Sequence, residues 1–386
     1  MADALLFVQG LSRKARADKQ PFPSADTGWY DAGLILREKE LTLAQLANAS
    51  ALQRVPVGCE VVPAWVRGVS AHRAMVILRA PGCGWDRLPR GGCAHCGFRR
   101  LTSGGAPLSP ADLLAQLESA LSGLDCERQR IFELDVYNSG NFLNEDEIPL
   151  GAQSAIVARV RQEKAVRVLL VESRPEYITV AGLCRLTRSA DRSRPLALEI
   201  GIGLESSNDI IRERYLRKGM SRKAFERAVK PLGEAGADLL TYVMLKAMPM
   251  SEEDALQDVV NTAEYVHEVA SSYGVRARIA LQPTFVVPGT RLAAEFLAGR
   301  YAPPSLRLVV EAVRRLAGFG DLLVGLWDEG LQPLAVPGVG SGCRDCLLRS
   351  LQDFNRTQDV GGLHNAGCPG DKRCPSRTHH IDGTTP

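Results

Sequence analysis

The sequence lacks any long apolar segment, and no stretch approaches the roughly 18 consecutive apolar residues that a membrane-spanning helix needs. It also lacks the order of a secretory signal peptide, because the short apolar run at residues 4–8 precedes the basic residues instead of following them. We therefore expect a cytoplasmic protein without a membrane partner. The 386 residues leave room for one large domain and a smaller one.

Net charge is also small, and no pattern of a Ser-His-Asp triad is evident. The formal charge of +3 does not by itself argue for a nucleic-acid partner, although basic residues cluster locally, as in residues 212–218. What the chain does contain is ten cysteines. Because the cytosol keeps thiols reduced, ten cysteines there favour metal binding, iron–sulfur clusters or catalysis over disulfides.

Short apolar runs alternate with helical patterns from about residue 74 onward. The six runs are rich in branched aliphatic residues, as buried parallel strands are, and they lie at residues 74–78, 131–137, 166–171, 196–202, 237–245 and 275–281. Helix starts lie between them, at Ser109-Pro110, at Ser221 and at Ser251. Strand followed by helix, six times over, predicts a parallel α/β fold, either a partial barrel or an open wound sheet.

This organisation predicts three regions. Residues 1–70 form an N-terminal extension without a clear repeat, residues 71–320 form the α/β domain, and residues 321–386 form a small Cys-rich C-terminal extension with little apolar periodicity.

The segment APGCGWDRLPRGGCAHCGFRR, from Ala80 to Arg100, follows directly on the first predicted strand. It holds Cys83, Cys93 and Cys96 with spacings of nine and two residues, and its glycines allow backbone conformations that other residues resist. Three thiolates do not complete a tetrahedral zinc site, so zinc would need a fourth ligand such as His95 or Cys59. Three thiolates do suit a 4Fe–4S cluster that keeps one iron open for a non-protein ligand.

The C-x9-C-x2-C spacing resembles the cluster loop of radical S-adenosylmethionine (SAM) enzymes, in the branch of the elongator catalytic subunit. The archaeosine-forming radical SAM enzymes and their relatives are similar over a longer stretch, Gly82-Cys-x-Trp85 to Gly-Gly-Cys93-x-x-Cys96-Gly-Phe98. The resemblance implies a partial (β/α)6 TIM-like barrel, a 4Fe–4S cluster on Cys83, Cys93 and Cys96, and SAM at the open iron. Trp85, Asp86 and Arg87, inside the nine-residue gap, either cover the cluster or meet a partner.

Further motifs at the strand ends are similar to those of the archaeosine-forming relatives. They are the segments SGNFLNEDEIP from Ser139, ESRPE from Glu172 and GIGLE from Gly201. By resemblance, the residues that bind SAM or line its site are Phe98, Ser139, Gly140, Asn141, Glu172, Arg174, Gly203, Glu205, Ser206 and Gln282. Structural alternatives stay open: Asn144 caps the next helix, Glu172 pairs with Arg174, and Lys218 is simply solvated.

Four cysteines in the C-terminal extension, Cys343, Cys346, Cys368 and Cys374, form two pairs. Their number suits a second metal site, either zinc or an auxiliary 4Fe–4S cluster, with His364, His379 or His380 as substitutes. Unbound cysteines in a tail are the alternative.

The resemblance implies an enzyme that cleaves SAM reductively to a 5′-deoxyadenosyl radical for hydrogen abstraction. The expected substrate is a tRNA nucleoside, through archaeosine-type C–N cleavage on a 7-deazaguanine adduct. Expected partners are a flavodoxin- or ferredoxin-type electron donor, tRNA and an enzyme that prepares the substrate. Two competing functions are radical chemistry on a small metabolite or peptide, and zinc-dependent nucleic-acid binding without catalysis.

Overall fold

The computed structural model describes residues 52–89, 91–187, 195–326, 330–338 and 344–363. They contain one eight-stranded sheet whose strands lie side by side in sequence order. Strands β2 to β8 are parallel to their neighbours, and β1 is antiparallel to β2. The strands are β1 Gly58–Val66, β2 Val69–Ile77, β3 Ile131–Tyr137, β4 Val168–Glu172, β5 Ala197–Glu205, β6 Asp238–Leu245, β7 Ala277–Pro283 and β8 Leu322–Val324.

Helices follow the parallel strands. They are α1 Pro110–Leu121, α2 Leu150–Val160, α3 Val180–Thr187, α4 Arg222–Ala235, α5 Glu252–Ser272, α6 Arg291–Leu297, α7 Leu306–Leu316 and α8 Arg344–Thr357. The predicted helix starts are confirmed, because the hydroxyls of Ser109, Ser221 and Ser251 each accept the backbone N–H three residues on. In the described part of the chain, no helix is both long and apolar enough to cross a membrane.

Two contacts show that the sheet is curled. Arg278 on β7 reaches Glu133 on β3, four strands away, with Nη2 and Oε1 2.6 Å apart. In a flat sheet, strands about 4.8 Å apart would put these two positions about 19 Å from each other, beyond the reach of an arginine. The hydroxyls of Tyr242 on β6 and Tyr137 on β3 lie 3.3 Å apart across three strands. The predicted partial barrel is therefore confirmed.

All six predicted strands are present, and the sheet has one more strand at each edge. Strand β1 lies within residues 1–70, and Pro63 interrupts its apolar run, as is usual only for a strand at a sheet edge. Strand β8 is only three residues long, too short to give a pattern in the sequence.

Helix α8 covers the outer edge of β8. The side-chain amide of Asn355 accepts the N–H of Val324 and donates to its carbonyl, both at 2.8 Å. Gln358 does the same for Leu322, both at 2.9 Å. Because an exposed strand edge leaves its backbone groups unpaired, these two amides take the place of a further strand.

Two of the apolar clusters pack on opposite faces of the sheet. The larger lies between the sheet and the helices outside it, and includes Leu113, Ile156 and Phe225. The smaller lies inside the barrel and joins Met75, Ile77, Tyr137, Leu170, Leu240 and Ala280. The inner core leaves the upper part of the barrel, at the carboxyl ends of the strands, open for a cavity.

Candidate active site

A cavity of about 240 Å³ opens at the carboxyl ends of the parallel strands. Its walls come from the loop after β2 and from the ends of β3 to β7, which is where parallel α/β proteins place their functional groups. The cysteines and polar side chains that line it are Cys83, Cys93, His95, Cys96, Tyr137, Ser139, Asn141, Glu172, Ser173, Arg174, Glu205, Lys218, Tyr242, Gln282, Thr284 and Thr290.

Cys83, Cys93 and Cys96 all line this one cavity. Burial raises the pKa of the Cys96 thiol to about 12, and burial also raises the pKa of Cys93. Cys96 is therefore a neutral thiol at physiological pH, while Lys218 and Arg174 act against the effect of burial at Cys93. Among the described residues, no three His, Cys, Asp or Glu side chains converge as the ligands of a single metal ion do. The donor set fits a cubane cluster, whose cysteines bind separate irons and lie farther apart.

The carboxylate of Glu147 ties the cysteine loop to the end of β3. It is 1% exposed and accepts the N–H of Gly84 at 2.7 Å, the N–H of Asn141, and the side-chain amides of Asn141 at 2.7 Å and Asn144 at 2.8 Å. The Asn141 amide also donates to the Cys83 sulfur at 3.5 Å. Asn144 does not cap the next helix, because Pro149 occupies the N-cap position of α2.

Gly140 is the residue that allows this arrangement. A Cβ at this position would lie 2.1 Å from Glu147 Oε2 and 3.1 Å from the backbone nitrogen of Cys83. The neighbouring Ser139 has a φ of 51°, which is uncommon for a residue with a side chain. The backbone after β3 is thus held in an unusual conformation against the cysteine loop.

Trp85 covers the loop from one side. Its indole N–H donates to the carbonyl of Arg217 at 3.2 Å, and the guanidinium of Arg174 lies 5.2 Å from the ring centre. Asp86 accepts a hydrogen bond from Arg99 at 2.7 Å, across the nine-residue gap. The contacts of Trp85 and Asp86 therefore stabilise the cysteine loop, whereas Arg87 is exposed.

Two carboxyl groups face the cavity in different electrostatic surroundings. Burial raises the pKa of Glu172 to about 7, against the lowering effect of a hydrogen bond from Tyr242. Glu205 lies 3.0 Å from the Nζ atom of Lys218, which is buried. Burial alone would lower the pKa of Lys218, but Glu205 and Cys93 raise it above the usual range. Lys218 is thus a fixed cation in the wall of the cavity.

The glycines of the GIGLE segment make room for these groups. A Cβ at Gly203 would lie 2.6 Å from Glu205 Oε1 and 2.9 Å from Lys218 Nζ. A Cβ at Gly201 would lie 3.0 Å from the ring of Tyr242 and 3.3 Å from Glu172 Cγ. The side chains that approach the strand at these glycines are therefore the charged and phenolic groups of the cavity itself.

The structure brings most of the predicted binding residues together. Those that line the cavity with the three cysteines are Phe98, Ser139, Gly140, Asn141, Glu172, Arg174, Gly203, Glu205 and Gln282. Ser206 does not line it, because its hydroxyl is buried against α5 and donates to Asp258 at 2.8 Å. Arg174 does not pair with Glu172, since it donates to Glu176 and to the carbonyls of Lys218 and Gly219.

Sequence reasoning missed Lys218, Tyr137 and Tyr242 as lining residues. The alternative that Lys218 is simply solvated is wrong, because its side chain is buried, with 8% of the residue exposed. Tyr137 and Tyr242 lie within apolar strands, where an aromatic residue usually indicates core. The alternation along β6 is the signal that would have found Tyr242, since Leu240, Tyr242 and Met244 share one face of the strand.

The second predicted metal site falls largely outside the described residues. Cys343, Cys368, Cys374, His364, His379 and His380 are not described. Cys346 lies on α8, half-buried, and Arg349 lies 3.7 Å from its sulfur. A zinc ion or auxiliary cluster at the C-terminus therefore stays a prediction.

The fold and the cavity define the class of protein. It is an α/β partial barrel in which a three-cysteine loop and a set of charged side chains share one cavity at the carboxyl ends of the strands. No family model matches the chain.

Within that class, the chain is similar to archaeosine synthase subunit beta. It is 29% identical over 313 residues to the protein of that name from Methanosarcina acetivorans, covering 78% of this chain and 84% of the other. Its counterpart from Thermococcus kodakarensis is 24% identical over 248 residues, covering 61% and 70%. The resemblance to archaeosine-forming proteins, predicted from the motifs, is thereby confirmed.

One similar solved structure is the archaeal Methanocaldococcus infernus Elp3 with an N-terminal deletion. It has a TM-score of 0.39 and 14% identity, over 56% of this chain and 52% of the other.

Proposed function

We propose that this chain is a radical SAM enzyme that acts on a modified nucleoside of tRNA, as the beta subunit of an archaeosine synthase. One observation carries the proposal: Cys83, Cys93 and Cys96 share a cavity with nine of the ten residues that the resemblance implies for SAM. The similarity to archaeosine synthase subunit beta supports the substrate class.

A reduced 4Fe–4S cluster would supply the electron that breaks a C–S bond of SAM and gives the 5′-deoxyadenosyl radical. The chain supplies binding and orientation. Cys83, Cys93 and Cys96 would hold three irons, and the Glu147 contacts fix Cys83 beside Asn141. A metal-bound cysteine is a thiolate, so burial, which raises the pKa of Cys96 to about 12, should make cluster assembly improve as pH rises.

The remaining cavity residues offer charges of both signs to SAM, which has an ammonium, a carboxylate and a sulfonium. Lys218 is a buried cation suited to a carboxylate, and Glu172 is an acceptor suited to a cation or to ribose hydroxyls. The burial of these groups excludes water, which protects a reactive radical from side reactions.

Exposed arginines next to the cavity support a phosphate-rich substrate. Arg99, Arg217 and Arg291 each directly adjoin a lining residue in sequence, and all three are exposed. Such a basic rim suits the backbone of a nucleic acid, whose binding weakens with salt as counterions are released. The relatives are beta subunits by name, which supports a partner subunit for this chain.

The test is anaerobic reconstitution with iron and sulfide, followed by SAM and dithionite. We expect four irons per chain from the cluster and formation of 5′-deoxyadenosine, with both lost in the Cys83→Ala/Cys93→Ala/Cys96→Ala variant. Cys184→Ala is the matched control, because Cys184 lies on α3 outside the cavity. Absence of 5′-deoxyadenosine from iron-loaded protein would refute the proposal.

The substrate class is tested by retention of tRNA at increasing salt. Arg217→Glu should weaken retention and flatten its salt dependence by about one counterion. Arg128→Glu is the control, since Arg128 is exposed in the loop before β3, at the opposite end of the strands. Retention that responds equally to both variants would favour a small metabolite or peptide as substrate.

A further inference from the structure

Charged side chains fill the lower part of the barrel, below the candidate active site. Arg278 donates to Glu199 at 2.9 Å and to Glu133 at 2.6 Å. Arg73 lies 3.1 Å from the carboxyl of Asp135. Glu133, Asp135 and Glu199 are 1%, 0% and 5% exposed. Three buried carboxyl groups therefore share two arginines, and a fourth carboxyl, Glu172, lies above them.

A line of hydroxyl groups joins this charged layer to the cavity. Tyr137 donates to Asp135 Oδ2 at 3.0 Å, and the Tyr242 hydroxyl lies 3.3 Å from that of Tyr137. The Tyr242 hydroxyl and Glu172 Cγ lie 3.4 and 3.3 Å from the same point, the position of a Cβ at Gly201, so the phenol and the carboxyl are neighbours, and Tyr242 lowers the pKa of Glu172. The sequence of contacts Glu172–Tyr242–Tyr137–Asp135 thus runs from a residue of the cavity wall to the interior of the barrel.

The balance of charge requires the interior to keep a proton. Two arginines cannot neutralise Glu133, Asp135 and Glu199 together, and an unpaired buried charge is costly, so one of these three carboxyls favours the protonated form. Asp135 Oδ1 is buried without a hydrogen-bond partner in the described residues, so a negative charge on Asp135 would be poorly stabilised, and Oδ2, which faces Tyr137, is the oxygen that can bear the proton. Burial raises the pKa of Asp135 to about 8, against the lowering effect of Arg73. Arg278 outweighs burial and lowers the pKa of Glu133.

We propose that Glu172 and Asp135 share one mobile proton through the hydroxyls of Tyr242 and Tyr137. In one state Glu172 is protonated and every donor points inward, with Glu172 donating to Tyr242, Tyr242 to Tyr137 and Tyr137 to ionised Asp135. In the other state Asp135 is protonated, every donor is reversed, and Glu172 is an anion. Each tyrosine accepts one proton as it gives up its own, so the transfer moves one net proton without any oxidant or external base.

The arrangement links the charge of the cavity to that of the interior: when Glu172 is an anion, Asp135 is protonated, and Glu133 and Glu199 then balance the two arginines. A cationic group bound beside Glu172 stabilises the state in which Glu172 is an anion, and the proton is then on Asp135. Asp135 therefore acts as a positioning residue at the far end of the chain. The groups that face Glu172 are Tyr242 on β6, Glu205 at the end of β5, Lys218 beyond that strand, and Arg73 on β2. Those that face Asp135 are Arg73 on β2, Glu133 and Tyr137 on β3, and Arg278 on β7.

The first test needs no ligand and does not depend on the proposed function. Protein with ¹³C-labelled carboxyl groups is titrated by infrared difference spectroscopy, with Glu172→Gln and Asp135→Asn to assign the signals. In the unaltered protein we expect both carboxyls to change in both titration steps. In Tyr242→Phe each carboxyl should change in one step only.

When Tyr242 is present, Asp135→Asn should shift the apparent pKa of Glu172 by at least about one pH unit. In the Tyr242→Phe background, the same substitution should shift it by well under half of that. Tyr265→Phe is the control, because the Tyr265 hydroxyl contacts Arg222 and Glu226 outside the barrel. Should Tyr242→Phe fail to fold, Tyr137→Phe breaks the same chain at another point. Independent titration of the two carboxyls in the unaltered protein would overturn the proposal.

The second test rests on the proposed function and uses SAM as the cationic probe. Calorimetry in two buffers of different ionisation enthalpy counts the protons released at a pH between the two titration steps. We expect almost no release from the unaltered protein, because the proton moves to Asp135, and release approaching one proton from Tyr242→Phe. Equal release from both would overturn the internal transfer. A protein that binds no SAM but shows the coupled titration would refute the proposed function alone.

Discussion

The indole ring of Trp85 lies against the backbone of Gly219, so closely that a Cβ at position 219 would stand 2.5 Å from ring atom Cζ2. Gly219 also has a φ of 55°, in the left-handed region that favours glycine. Two separate requirements therefore exclude a side chain there. The contact joins the cysteine loop to the segment that carries Lys218.

Gly219→Ala is expected to lower the free energy of unfolding by about 2–4 kcal/mol, the sum of backbone strain and overpacking against Trp85. Gly236→Ala is a matched control, because its φ is 68° and no atom lies within 4 Å of the added Cβ. The control should cost only about 1 kcal/mol, from strain alone. Urea unfolding of both variants measures the difference. An equal loss in the free energy of unfolding would show that Trp85 moves aside without an energetic cost.

Glu147→Gln should destabilise the cysteine loop, because an amide NH₂ would face the donors that the carboxylate now accepts. We expect a loss of about 2–3 kcal/mol and lower iron content after reconstitution. Glu145→Gln, two residues earlier, is the control, since Glu145 is exposed and lies 3.9 Å from Arg185. Urea unfolding and iron analysis provide the measurements. If the Glu147→Gln variant proved as stable as the Glu145→Gln variant, the role given to Glu147 would be contradicted.

Stability should fall as pH rises through neutrality. Asp135 has a pKa raised to about 8 and Glu172 a pKa raised to about 7 in the folded state, whereas both ionise near pH 4 when unfolded. Between these values the folded state holds more protons, so the free energy of unfolding decreases with increasing pH. Asp135→Asn should reduce this slope. Denaturant unfolding from about pH 5 to 9 measures how the free energy of unfolding depends on pH. If Asp135→Asn leaves that slope unchanged, groups other than Asp135 cause the pH dependence.

Ser206→Ala should affect stability but not SAM binding. The hydroxyl donates to Asp258, and burial raises the pKa of Asp258 to about 6 despite that bond. Its loss should cost about 1–2 kcal/mol. Gln282→Ala, at a residue that lines the cavity, should instead weaken SAM binding in calorimetry. Weakened binding in a Ser206→Ala variant of normal stability would restore Ser206 as a binding residue.

Much of the fold was predictable, because buried parallel strands are continuous apolar runs and the helix starts have serine caps. Strand β8 was not, since three residues form no period and its partners come from α8. Strand β1 was missed because Pro63 breaks its apolar run, and a proline within a run argues against a strand unless that strand lies at a sheet edge, as β1 does.

The candidate site was predictable where a short motif carries its own geometry, as in the cysteine loop. Glu147 lies in the acidic segment Asn-Glu-Asp-Glu, which indicates a solvated turn, and only its five amide donors reveal a buried acceptor. Glu133 and Arg278 are 145 residues apart, and only the curvature of the sheet brings them together.

The hydrogen bonds of Asn355 and Gln358 to β8 have a consequence for how the chain is made. The last parallel strand of the sheet is completed by side chains that lie over 30 residues later. During synthesis, the outer edge of β8 stays unpaired until Asn355 and Gln358 have been made. An unpaired strand edge is a surface at which chains pair wrongly and aggregate. The region that carries the C-terminal cysteines therefore begins with the segment that seals the barrel, so removing that region for study would also remove its protection against self-association.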